Sequence, residues 1–308
     1  MSFYIADAHC DFLYGAMQYG YSMGTSVRDQ MVTLNNLKAG HVALQTFACW
    51  TDAQLHMPRM QQCLTMIDCF YRMLDEDPAL VPFDASFDPS SGKIGCVLTV
   101  EGGEPCEGSI AMVRVLHRLG VRAMTFTWNS NNELAGAALG KRQKGLTLLG
   151  REMVREMNRV NMAVDVAHLS DEGIRDVLDI STRPIMASHS NARAVFDHPR
   201  SLPDPLIREI ALQGGVIGVS FYSPQLVKKG RASYRDVAEQ IMHIVSVGGV
   251  RCCCIGSDFD GMSSSASALK SSAEFPLLCE ELLKVGFSEQ EVSRIAFGNL
   301  YSFYKSLY

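Results

Sequence analysis

Asp7-Ala8-His9-Cys10-Asp11 follows a short apolar lead, Phe3-Tyr4-Ile5-Ala6, at the start of the chain. On an extended strand, side chains at i, i+2 and i+4 leave by one face, so Asp7, His9 and Asp11 are expected side by side. An imidazole and a carboxylate two residues apart at a strand end supply half of a divalent-metal site. A solvated loop is the competing explanation for a lone D-x-H-x-D. The choice rests on whether the rest of the chain delivers the other half.

The elements that must position those groups are legible as short apolar, β-rich runs, each followed by a helical or polar stretch. The runs are 3–8, 41–49, 93–100, 121–127, 162–167, 184–188, 215–221 and 250–255. Helical spacing or capping residues mark 55–74, 109–119, 145–160, 204–212 and 233–247, and a last helix opens at the capping box Ser288–Glu291. Asp204 reads as a helix cap with Pro205 at the first helical position. Residues 15–33 and 261–272 read as loops over the strand ends. Strands alternating with helices imply βαβ units and a parallel sheet, and eight of them predict an α/β (β/α)8 TIM barrel. No linker or composition shift divides the chain, so residues 1–308 are expected to form one barrel domain. An open doubly wound sheet would want an early Gly-rich dinucleotide turn, where Asp7–Asp11 stands instead.

In such a barrel the C-terminal strand ends carry the chemistry. They deliver His9 and Asp11, then Glu101, His168, His189 and Asp258, with Asp260 following. Alternation puts Val164, Val166 and His168 on one face, and likewise Ile185, Ala187 and His189. Three imidazoles with several carboxylates exceed the three protein ligands of a single catalytic zinc, so two ions are expected, with Glu101 as the bridging carboxylate. Asp11, Glu101, Asp258 and a bridging hydroxide would balance the charge of two divalent ions, as burial requires.

Composition narrows the partners. The 308 residues are 47% hydrophobic and 20% charged, with a net charge of −5 and no Lys/Arg-rich cluster, so nucleic acid and anionic membranes are not expected partners. The 10 cysteines form no C-x-x-C pair and are read as reduced, buried thiols. No charged-then-apolar leader precedes the first strand, and a cytoplasmic location is the expectation.

Five short motifs, in order, resemble the membrane (renal) dipeptidase family of zinc dipeptidases, peptidase family M19. They are Asp7-Ala8-His9-Cys10-Asp11, Val100-Glu101-Gly102-Gly103, Asp165-Val166-Ala167-His168-Leu169-Ser170, Ala187-Ser188-His189-Ser190-Asn191-Ala192 and Gly256-Ser257-Asp258-Phe259-Asp260-Gly261. The resemblance implies a metal-dependent TIM barrel that hydrolyses dipeptides by attack of a hydroxide bridging two ions, most simply Zn²⁺. His9 and Asp11 would hold one ion, His168 and His189 the other, and Glu101 would bridge them. Asp258 would be the catalytic base beside the water. Arg200, eleven residues after His189, would grip the substrate carboxylate as a bidentate fork; the alternative is a surface arginine.

The chain departs from mammalian members, which carry a histidine after the fourth strand; here Trp128-Asn129 follows. Trp128 is then expected to wall the pocket and Asn129 to donate to the oxyanion, unless the metals do that alone. Tyr222 is a further pocket candidate. Asp7 is read as orienting a ligand or capping a strand, Asp165 as bonding behind the barrel, and Asp260 as ordering a loop. His41, His56, His117, His198 and His243 are read as lying off the site. The family suggests a homodimer. The alternatives are a related amidohydrolase acting on an N-acyl amino acid or β-lactam, and a barrel that binds without turnover.

Overall fold

The computed structural model describes residues 3–27, 29–142 and 144–308, so residue 28 of the loop expected over 15–33 lies outside them. Among the described residues nine strands run in chain order: β1 Ile5–Asp7, β2 Val42–Trp50, β3 Leu80–Pro82, β4 Ile94–Glu101, β5 Val121–Thr125, β6 Ala163–Asp165, β7 Met186–Ala187, β8 Val216–Val219 and β9 Cys253–Ile255. All pairings between them are parallel. Eight close into a barrel through the β2–β4 pairing, and β3 flanks β4 outside the ring. The two longest strands, β2 and β4, are largely apolar runs with both faces covered, as parallel sheets require. Helices surround the ring, which is the expected (β/α)8 TIM barrel.

The longest ladder, β2 on β4, runs from Leu44 opposite Gly95 to Trp50 opposite Glu101 and so delivers Glu101 level with Trp50. Inside the ring, small residues such as Ala6, Ala123 and Ala163 leave room that the C-terminal helix Asn299–Lys305 fills with Leu300, Phe303 and Tyr304. Asn299 Nδ2 donates to Val250 O and Cys253 O, each at 2.7 Å. Those carbonyls lie at the start of β9, so the helix closes the end of the barrel opposite the strand C-termini. Gly256 matters for approach: a Cβ there would stand 1.8 Å from Ser188 O.

Several local expectations need correction. Residues 15–33 are not loop throughout, because Phe12–Tyr19 is helical, with Phe12 and Leu13 buried on the core. Thr33 caps a further helix, Leu34–Ala39, by accepting from Asn36 N. Helices Asp171–Ile180 and Phe275–Lys284 and the short β3 were not anticipated. Pro203, not Asp204, occupies the cap of the helix Asp204–Leu212. The last strand starts late because Val250–Cys252 forms a 3₁₀ turn after Gly249 at φ 85°. The capping box at Ser288/Glu291 forms as expected, and Ser233/Asp236 makes a second one. No helix among the described residues is long and apolar enough to cross a membrane.

Candidate active site

The residues singled out at the strand ends converge. His9 Nε2 lies 3.4 Å from Asp11 Oδ2 and 3.6 Å from Glu101 Oε2. On the other oxygen, His168 Nε2 lies 2.8 Å and His189 Nε2 3.4 Å from Glu101 Oε1. Glu101 thus turns one oxygen to each group. Asp258 joins His9 and Asp11 in a second cluster whose donor atoms are close enough to share an ion, alongside the cluster of His9, Glu101 and His189.

Turns, not strand alternation, aim two of these side chains. β6 stops at Asp165 and β9 at Ile255, and His168 and Asp258 lie beyond them at φ 69° and 64°. Left-handed conformations are uncommon for residues other than glycine and mark sites where surrounding structure enforces them. The enforcing groups are neighbours within the same motifs. Asp165 Oδ1 accepts from Ala167 N and Ser188 N, each at 3.0 Å, so it clips β6 to β7. Asp7 accepts from Gln45 Nε2 at 2.9 Å, Ser257 N at 2.8 Å and Ser257 Oγ at 2.6 Å, tying β1 to its two neighbours. Both carboxylates are strand clamps. Asp260 accepts from Met31 N at 2.6 Å and Val32 N at 3.3 Å and orders the loop above the site, as expected.

The protonation pattern suits a cation. Asn129 Oδ1 takes the Nδ1–H of His168 at 2.9 Å, and Ser188 Oγ lies 2.8 Å from His189 Nδ1. With Nδ1 engaged, each ring presents Nε2 inward, and the two Nε2 atoms stand 2.9 Å apart. Burial holds His168 down at about 4, with the Arg200 charge acting the same way, and holds His189 well below the usual imidazole range. Burial disfavours the Glu101 charge, but His168 and His9 outweigh it and keep the carboxyl well below the usual range. Burial raises Asp258 to about 8, against the pull of His9. Two bare ring nitrogens beside an ionised carboxylate repel one another unless a positive charge lies between them. His9 Nε2 and Asp11 Oδ1 are buried without a hydrogen-bond partner, which leaves them available as ligand atoms.

A cavity of about 690 Å³ opens over the cluster, with Glu101, His168 and Asp258 at its floor. Arg200, Trp128, Asn129 and Tyr222, all singled out from sequence, line it. Arg200 is only 4% exposed, so it is not a surface arginine. Its Nη2 makes one long bond, 3.4 Å, to His189 O, and its Nε has no partner. Burial lowers its pKa to about 10, against the pull of Glu101 and Asp258, so it remains a cation. Trp128 is 40% exposed and packs edge-on against Trp50, centroids 4.8 Å apart. Asn129 has a role the sequence did not suggest: its oxygen accepts from His168 Nδ1.

Sequence reasoning missed Tyr14, Trp50 and His198, all of which line the cavity. Trp50 was findable as the last residue of a strand whose neighbour ends in Glu101. Tyr14 lay hidden in a stretch read as loop. His198 was placed off the site, yet it sits two residues from Arg200 on the same turn, a proximity that the eye drawn to strand ends passes over. All ten cysteines are free and buried.

Known proteins bear the same stamp. Over 94% of this chain and 76% of the relative, the chain is 29% identical to an uncharacterized dipeptidase of Schizosaccharomyces pombe. It is 32% identical to Dipeptidase 3 of Rattus norvegicus over 87% of this chain, but spans only 57% of that longer relative. A crystal structure of a metallo peptidase from Rhodobacter sphaeroides, liganded with a phosphinate mimic of the dipeptide L-Ala-D-Ala, superposes with a TM-score of 0.90 at 22% identity, covering 100% of both chains. The structure of the dipeptidase AC, a metallo peptidase of family M19, superposes equally well, TM-score 0.90 at 22% identity over 99% of each chain; both likenesses speak to the fold. The model of the family described as Membrane dipeptidase (Peptidase family M19) matches residues 1–306, and the chain belongs to that family of metal-dependent dipeptidases.

Proposed function

We propose that this chain hydrolyses the amide bond of dipeptides with two divalent ions, Zn²⁺ by first choice. The observation that carries the reading is Glu101 turning one oxygen toward His9, which itself faces Asp11, and the other toward His168 and His189. Those five residues would hold the ions. Nitrogen and oxygen donors suit zinc, and equally manganese, cobalt or iron. Bound there, divalent ions lower the pKa of a water and polarise the scissile carbonyl.

The chain's own residues do the rest. Asp258, beside His9 and Asp11, takes the proton of the attacking water and returns it to the leaving amine. A carboxyl that burial raises to about 8 in the absence of cations is brought back to its base form by nearby positive charge. Arg200 offers to the substrate's C-terminal carboxylate a guanidinium with no carboxylate partner among the described residues. Trp128 and Trp50 pack together in the cavity wall and would exclude water from the substrate, and Tyr222 lines the same cavity. The ten reduced, buried thiols support a reducing compartment.

The test is a rate panel of L,L and L,D dipeptides, tripeptides, dipeptide amides, N-acyl amino acids and a β-lactam. Dipeptides with a free carboxylate should be turned over fastest, and amidation or chain extension should abolish most of the rate. Faster turnover of N-acyl amino acids or the β-lactam than of any dipeptide would replace the reading with the broader amidohydrolase one.

A further inference from the structure

Beyond Ser190 the chain forms a loop whose ends are tied together. Leu202 N donates to Asn191 O at 2.7 Å, and Arg193 N to Leu202 O at 2.9 Å. At the tip, His198-Pro199-Arg200-Ser201 closes as a turn, Ser201 N donating to His198 O at 2.9 Å. Arg193 braces it. Its Nε donates to Ser201 O at 3.0 Å, while its guanidinium takes both oxygens of Asp171 at 2.7 and 2.8 Å. A bidentate pair of this kind fixes direction as well as distance.

The braced turn presents two side chains to the cavity, Arg200 and His198. They are coupled: Arg200 N donates to His198 Nδ1 at 3.2 Å. A ring nitrogen that accepts carries no proton, so the neutral ring must carry its hydrogen on Nε2. Burial lowers the His198 pKa and the Arg200 charge lowers it further, with Asp197 opposing, which keeps the ring in that form. The Nε2–H has no partner among the described residues. The cavity therefore holds a cationic fork and a neutral donor on one rigid support.

We propose that His198 is a substrate-binding and specificity residue whose Nε2–H donates to the substrate's C-terminal carboxylate beside the Arg200 guanidinium. A carboxylate offers two oxygens and about four lone-pair directions, more than one fork can satisfy. The imidazole is bonded to the main chain of Arg200, so both donors face the cavity from one turn, and the pair suits a two-oxygen anion at the end of the substrate. The inference rests on the dipeptidase reading and deepens it.

The experiment compares a phosphinate dipeptide mimic bearing a free carboxylate with its carboxamide, as inhibitors of the metal-loaded wild type, His198→Ala and His198→Gln. His198→Ala should raise the Ki of the carboxylate form about tenfold, the low end for a hydrogen bond to a charged group. It should leave the Ki of the carboxamide within about twofold, and it should raise KM for a dipeptide with little change in kcat. His198→Gln, whose amide can still donate, should recover part of the loss. Equal weakening of both inhibitors, or no change in either, would overturn the proposal. A wild type that does not tell carboxylate from carboxamide would count against the dipeptidase reading itself. A wild type that does, with the discrimination intact in His198→Ala, would count against His198 alone.

Discussion

The two ends of the barrel are built on opposite principles. At the strand C-termini, His9 Nε2, Asp11 Oδ1, Trp50 Nε1 and Arg200 Nε are buried with no hydrogen-bond partner, and His168, Asp258 and Asp260 hold left-handed backbone. At the other end, Leu300, Phe303 and Tyr304 pack into the ring. There Thr46 Oγ1 donates to Tyr304 Oη at 3.1 Å, and Asn299 Nδ2 donates to the carbonyls of Val250 and Cys253. Buried polar groups without partners are destabilising. One end therefore carries local instability in the form of chemistry in waiting, and the other supplies stability. Substitutions at the two ends should separate cleanly into loss of turnover and loss of folding.

The largest effect belongs to the chemical end. Asp258→Asn should lower kcat about 10²- to 10⁴-fold, the range for a general acid–base group, while metal content and unfolding midpoint stay close to wild type. Near-normal turnover would remove Asp258 from its role. The stabilising end should answer in the opposite sense: Tyr304→Ala should lose about 3–5 kcal/mol of unfolding free energy in urea titration, because it empties the barrel floor. The kcat of the fraction still folded should hardly move. A loss of kcat at full folding would show that the two ends are coupled.

Smaller substitutions sharpen the comparison. Asn129→Ala removes the acceptor that orients His168. Supporting partners of ligand imidazoles typically contribute about 10- to 100-fold in metal affinity, so a competition titration with a chelator should show a loss of that order. Asn129→Asp, which keeps the acceptor, should restore it.

The smallest effect lies on neither end. The Arg159 and Arg114 guanidiniums hold Glu156 down at about 2. A depressed carboxyl contributes stability above its unfolded pKa of about 4.5 and loses it as pH falls toward 2. These pairs are partly exposed, so Arg114→Ala should change stability near pH 7 by under about 1 kcal/mol, and the difference from wild type should vanish by the acid end of the window.

Sequence legibility followed the same division. The eight barrel strands and the candidate site residues that converge at their ends were readable because parallel strands buried on both faces leave apolar runs, and polar residues closing such runs stand out. What stayed hidden was set by tertiary contact. The helix Phe12–Tyr19 carries Gly15 and ends on Gly20, so local propensity read as loop, and burial of Phe12 and Leu13 decides otherwise. The helices Asp171–Ile180 and Phe275–Lys284 were overlooked although each buries four residues. Asn129 was recognised as a pocket residue, but its hold on His168 stayed hidden, because it depends on which imidazole the fold brings to the amide oxygen. His198 was missed for the converse reason: its role comes from a turn, and alternation along strands does not speak to turns.

The central claim is that Glu101 divides a two-ion site that hydrolyses dipeptides, and the most direct measurement is metal content and dipeptide hydrolysis followed together. The protein would be stripped with a chelator and titrated back with Zn²⁺. The account predicts no hydrolysis in the stripped protein and a return of rate that completes at two ions per chain. Full activity in metal-free protein, or a rate that saturates at one ion per chain or fewer, would contradict it.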